Sequence, residues 1–242
     1  MRFYVVCLYV MTLLISSSVS AQPLKYNVNA SGSWYPYATQ SAKHPGIVRE
    51  YIAAVMSEAE IASQHVSLPP KRTVQSIQAK QLDFEVISPS WLSQVQRHDE
   101  KFVFSAPLFP VDEYLVALTS KVHQYQTRES IFRQTVGTVR GYYYHDDNRF
   151  ERMDFNSERE LILALHRGRI DVAIIGDLPA KYWAHRLGVD IALGARHSSG
   201  QMHIRLLREH QPLLPRVNQA IEELKSQGLY EKLKQRYIAL YL

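Results

Sequence analysis

Groups able to hold a small polar molecule are plentiful in this sequence, and groups able to transform one are scarce. The single cysteine is Cys7, close to the start of the chain. There is no Gly-x-Ser-x-Gly elbow and no glycine-rich phosphate loop. No catalytic residue is therefore assigned, and an enzyme is not the expectation. His145-Asp146-Asp147 is the densest run of metal-ligand types among the 10 histidines. No His-x-x-x-His pair accompanies it, and ligand types adjacent in sequence are ordinary in a polar loop, so no metal site is expected. Candidate binding groups are easier to find. Asp177 follows Gly176 at the end of the apolar run 170–175, and ligands of open α/β sheets lie at the carboxyl ends of strands. Its carboxylate suits an ammonium group, and it equally suits the cap of the helix that follows. Tyr35 and Tyr37 flank Pro36 in a loop and, with Trp91, offer aromatic walls that attract apolar and cationic surface. Ser88 and Ser90 flank Pro89 just past a strand end and add hydroxyls. Arg97 could grip a carboxylate with two donors, or simply be a solvated surface arginine. Tyr142, Tyr143 and Tyr144 follow a turn at Gly141, and three successive side chains cannot all face one way.

The elements that must position these groups alternate strand and helix. Residues 24–28 alternate as a strand, and residues 46–61 carry apolar side chains at near-helical spacing. A short strand at 65–68 ends at Pro69-Pro70, a helix covers 73–80, and strands cover 82–88 and 113–118. The same grammar restarts with a strand at 135–139. A helix at 157–167 opens on Ser157 with Glu160 three residues later, a capping-box pattern. The run 170–175 reads as a strand buried on both faces. Residues 178–187 are helical, 201–207 form a strand, and two helices at 213–227 and 229–240 close the chain. The order helix end, turn, Asp-initiated apolar strand occurs at Leu82-Asp83 and again at Ile170-Asp171, which suggests two α/β lobes of one plan.

Composition bounds the classes. With 46% hydrophobic and 21% charged residues the chain is an ordinary globular one. A net charge of +5 without a long basic run gives no reason to expect nucleic acid as a partner. Residues 1–21 read as a secretory signal. Arg2 is the sole charge, an apolar core runs from Phe3 to about Ile15, and Val19-Ser20-Ala21 fits a small-x-small cleavage site. That core is shorter than the ~18–20 residues of a membrane span. The expected product starts at Gln22, lacks Cys7, is not membrane-embedded and resides in the periplasm.

Several segments then resemble one family, the extracytoplasmic solute-binding proteins of family 3 that serve amino-acid uptake by ABC transporters. Trp34-Tyr35-Pro36-Tyr37 is similar to its aromatic turn after the first strand, and residues 46–50 to the Gly that opens its first helix. Residues 102–107 resemble its Phe-Ser-x-Pro segment, and residues 136–141 its strand and glycine turn at the start of the second lobe. Residues 165–177 are similar to Leu-x-x-Gly-x-x-Asp-Ala-x-x-x-Asp, and Asn218, Gly228 and Tyr237 fit the closing helices. The resemblance implies a two-lobed α/β fold of the type II periplasmic binding class, each lobe a sheet flanked by helices, joined by two crossover strands. Lobe one would comprise residues 22–118 and 201–242, and lobe two residues 119–200. It implies capture of a small-molecule ligand, an amino acid or related compound, in an interlobe cleft. An inner-membrane ABC permease is the implied partner, and no cofactor is expected. Tyr35, Tyr37, Ser88, Ser90, Trp91, Arg97, Gly141, Tyr142 and Asp177 are the implied ligand-binding residues. An exported ligand sensor, or a hydrolase-like enzyme on the same fold, is the alternative. The sequence departs from the family where its carboxylate clamp would be. The usual Thr-x-x-Arg before the Phe-Ser segment is missing, with Gln94 in place of Thr and Arg97 the nearest arginine.

Overall fold

The computed structural model describes residues 22–28 and 34–241, so the expected leader at 1–21 lies outside the described residues. In chain order the first elements are β1 (Leu24–Val28), α1 (Ile47–Glu58), β2 (Ser63–His65), α2 (Pro70–Gln78), β3 (Phe84–Ile87), α3 (Gln94–Arg97), β4 (Phe102–Phe104) and β5 (Pro110–Leu118). There follow β6 (Thr135–Val139), β7 (Glu151–Phe155), α4 (Glu158–His166), β8 (Ala173–Gly176), α5 (Asp177–Leu187), β9 (Ile191–Gln201), β10 (His203–Leu207), α6 (Leu214–Ser226) and α7 (Leu229–Tyr241).

Two five-stranded sheets result, ordered β2-β1-β3-β10-β4 and β7-β6-β8-β5-β9. In the first, β1 runs parallel to both neighbours, and β10 returns antiparallel between β3 and β4. Helix α1 buries Ile47, Val48, Tyr51, Ile52 and Val55 along one stripe, each contributing about 1.5–3 kcal/mol when removed from water. That stripe packs with Tyr26, Phe84 and Ile204 of the sheet and with Val217, Ile221 and Tyr237 of α6 and α7. Gly46 starts α1 at φ 108°, where a Cβ would lie 2.4 Å from the Tyr37 carbonyl oxygen. Its N–H donates to the Tyr237 hydroxyl at 2.7 Å, and that hydroxyl donates to Glu50 at 2.5 Å, tying the last helix to the first.

The second sheet has an apolar cluster on each face, one around Leu161, Ile162 and Ile175, the other around Leu115, Ile131 and Ile174. The sheets also correct the expected lobe boundary. Strand β5, expected to end lobe one at residue 118, pairs with β8 and β9 throughout its length and belongs to the second sheet. The chain therefore passes between sheets in the segment joining β4 to β5 and returns between β9 and β10. The two passages run side by side, with Pro110 opposite Gln201 and Val111 opposite Gly200. The lobes also touch beyond the crossovers. Leu178 of α5 joins the apolar cluster of lobe one, and Tyr35 stacks on Tyr182 at 4.9 Å and meets Trp183 edge-on at 5.4 Å.

Candidate functional site

Between the lobes lies a cavity of about 110 Å³, many times the ~10–15 Å³ one water needs. Lobe one contributes Trp34, Tyr37, Trp91, Leu92 and Gln96. The Trp34 and Tyr37 rings stack at 4.5 Å, and Trp91 meets Trp34 edge-on at 5.8 Å. Burial above all, then Tyr230 and Asp177 nearby, pushes the Tyr37 hydroxyl well above its usual pKa, so it stays neutral. Lobe two and the crossover contribute Asp112, Glu113, Gly141, Tyr142, Tyr143, Glu158 and Gly176.

The charged residues on this wall are all acidic. Glu113 is buried and accepts a 2.6 Å hydrogen bond from the Ser198 hydroxyl. Burial raises its pKa; the Ser198 bond, His197 and the Trp91 indole oppose that rise without cancelling it. The Trp91 N–H is directed to this carboxylate without completing a hydrogen bond of ordinary geometry. Glu158, also buried, accepts from the Tyr142 hydroxyl at 3.1 Å. The Oδ1 of Asp112 is buried with no hydrogen-bond partner among the described residues, and Arg196 stands 3.9 Å from its other oxygen. No Lys, Arg or His lines the cavity among the described residues, and residues 29–33, Asn-Ala-Ser-Gly-Ser, hold no charge. A buried carboxylate oxygen without a hydrogen bond, such as the Asp112 Oδ1, is costly unless a cation or donor joins it.

Of the residues singled out from sequence, the structure gathers Tyr37, Trp91, Gly141 and Tyr142 on the cavity wall. The others stand elsewhere. Tyr35 turns away from the cavity and packs on Tyr182 and Trp183. The Ser88 and Ser90 hydroxyls bond each other at 2.8 Å and press on the crossover at Gly200, where a Cβ would lie 2.5 and 2.4 Å from them. Arg97 is exposed on α3 and donates to the Leu92 carbonyl at 3.1 Å, off the wall. Asp177 is the first residue of α5, with Gly176 at the N-cap and no side-chain capping bond. It stands beside the cavity, close enough to bias Tyr37 and Tyr230. Sequence reasoning missed Trp34, Gln96, Asp112, Glu113 and Glu158. The adjacent acids at 112 and 113 were the available signal, placed where a strand leaves one lobe for the other.

Solved structures share this architecture. The GluR0 ligand-binding core in complex with L-glutamate superposes with a TM-score of 0.77 at 17% identity, over 90% of this chain and 99% of that one. An amino acid ABC transporter substrate-binding protein from Streptococcus pneumoniae, bound to L-arginine, gives 0.73 at 18% identity over 89% and 94%. An arginine transport-system periplasmic binding protein from Legionella pneumophila gives 0.69 at 16% over 89% and 99%. At these identities the likeness is one of fold. No curated protein matches the chain by sequence. The family model of bacterial extracellular solute-binding proteins, family 3, matches residues 26–239. With that match spanning both lobes and the cleft between them, the chain belongs to the bacterial extracellular solute-binding proteins of family 3.

Proposed function

We propose that this protein captures a small organic cation, an amine or guanidinium compound with an apolar body, in the interlobe cleft. The observation that carries this reading is the cavity wall itself: Asp112, Glu113 and Glu158 with Trp34, Tyr37, Trp91 and Tyr142, and no basic side chain among the described residues. A unit positive charge 4 Å from one carboxylate gains on the order of 4 kcal/mol before desolvation at the effective dielectric of such sites. Aromatic faces add cation–π attraction of about 0.5–2 kcal/mol. A carboxylate on the ligand would meet repulsion from three acids and no arginine. The arginine- and glutamate-bound neighbours support a ligand of amino-acid size. Delivery to an inner-membrane ABC permease, and export with residues 1–21 removed, complete the reading; the family and the leader-like sequence support them.

Titration calorimetry with matched pairs tests the ligand class: arginine against agmatine, and lysine against cadaverine. The decarboxylated member of a pair should bind at least as tightly as the amino acid. Binding confined to carboxylate-bearing members, or to glutamate, would contradict the proposal.

A further inference from the structure

Behind the cleft wall, lobe two holds a second cluster of binding groups. Strand β9 sets His197 against Asp146, which lies in the loop between β6 and β7, with Nε2 2.8 Å from Oδ1. His145 stands beside them, its Nε2 3.7 Å from the other carboxylate oxygen, and the two imidazole rings are 4.9 Å apart. One ligating atom from each of the three residues fits within a span of 4.8 Å. Two polar atoms here are buried and lack a hydrogen-bond partner, Oδ2 of Asp146 and Nδ1 of His197. Both residues are more than nine-tenths buried, so neither atom reaches bulk water for compensation. An orphaned carboxylate oxygen between two imidazoles is a poor arrangement for stability alone.

The geometry points to a binding site for a divalent first-row transition ion, zinc being the simplest, held by His145, Asp146 and His197. Two imidazoles and one carboxylate are a donor set such ions favour, and three protein ligands leave a further position for water. Ligand atoms around a tetrahedral zinc stand about 3.4 Å apart, from bond lengths near 2.0–2.2 Å. The 4.8 Å span must therefore contract by about 1.4 Å on loading. His145 can supply that movement, because its side chain is 37% exposed while those of its partners are fixed in the interior. The Arg128 guanidinium, 3.4 Å from the His145 Nε2, is exposed and must swing aside. The third ligand comes from 51 residues along the chain, which is why the loop 145–147 alone gave no sign of it. The donor set is the same whatever the cleft binds.

The test uses the purified chain without a histidine tag, stripped by chelator and titrated with zinc chloride against a chromophoric competitor. One equivalent should bind. His145→Ala and Asp146→Asn should each weaken that binding by roughly tenfold or more, at least what loss of an outer-shell partner costs. His166→Ala, an exposed histidine on α4, should leave it unchanged. The metal-free variants are compared by circular dichroism. Should Asp146→Asn not fold, the surface change His145→Ala carries the test alone. Absence of a one-equivalent site, or binding that survives His145→Ala, overturns the proposal.

Discussion

Asp112→Asn should separate what the cleft needs for binding from what the fold needs for stability. Asp112 lines the cavity, its Oδ1 is buried without a partner, and its closest cationic group among the ion pairs, Arg196, is 3.9 Å away. The folded protein therefore gains little from this charge, while Glu113, adjacent in sequence, and Glu158 hold two more carboxylates on the same wall. Asparagine keeps the shape and removes one of the three carboxylates on this wall. Melting temperature without ligand should stay level or rise, because a weakly paired, partly buried charge and some like-charge repulsion are removed. Binding should fall. Loss of a buried charged contact costs on the order of 2–5 kcal/mol, much of it from the cation left unpaired. That is roughly a 30-fold or greater loss of affinity. Calorimetry with agmatine or cadaverine, run beside scanning calorimetry of the same samples, reads both quantities. Undiminished binding by Asp112→Asn, or a large drop in its melting temperature with binding intact, would refute the electrostatic reasoning.

Three further outcomes follow from other parts of the molecule. Glu85 and Arg205 form a buried pair between β3 and β10, with the guanidinium 4.4 Å above the Phe102 ring; Glu85→Ala leaves a buried charge and should cost about 3–5 kcal/mol in denaturant unfolding. His65 has its pKa lowered from 6.5 to about 4 by burial first and Arg49 second, so the fold keeps it neutral while the unfolded chain takes up a proton. Stability from this group is full above pH 6.5 and lost as pH falls toward 4. The upper bound of about 3.4 kcal/mol shrinks to roughly 1–2 for a partly exposed ring, and His65→Gln should flatten urea-unfolding profiles across that window. Tyr35→Ala removes the stacking of lobe one on Tyr182 and Trp183, worth about 0.5–1.5 kcal/mol. Solution scattering should then show a larger radius of gyration without ligand, closing on ligand; an unchanged radius would mean the aromatic contact does not hold the lobes together.

The parts of the fold legible in sequence are those where local pattern and burial agree. Strand β6 has the bounds its apolar run indicates, and α1 buries the stripe its spacing shows. At α4, Ser157 accepts from the Glu160 N–H as the capping pattern requires, but the Glu160 carboxylate accepts from the Asn156 N–H, one residue earlier than a full box would have it. Strand β9 was invisible because Gly194, Ser198, Ser199 and Gly200 interrupt any alternation, and its pairing comes from β5, far away in sequence. Strand β7, Glu-Arg-Met-Asp-Phe, lies at a sheet edge where charges are tolerated and no periodicity is demanded. The site divides likewise. Tyr37, Trp91 and Tyr142 could be picked from aromatic residues beside turns. Asp112, Glu113 and Glu158 looked like ordinary polar positions of a strand and a helix start, and only the folding of lobe two, with α4 packed beside β5, brings them to one wall. Arg97 drew attention through the family's carboxylate clamp, and its side chain instead caps the Leu92 carbonyl.

The acidic, aromatic cleft should select a cation. Mass spectrometry of the small molecule released by denaturing freshly purified protein, identified against standards, tests it most directly. An amine or guanidinium compound with net positive charge at neutral pH is expected; release of a net anionic solute such as glutamate would contradict a cation-selecting cleft.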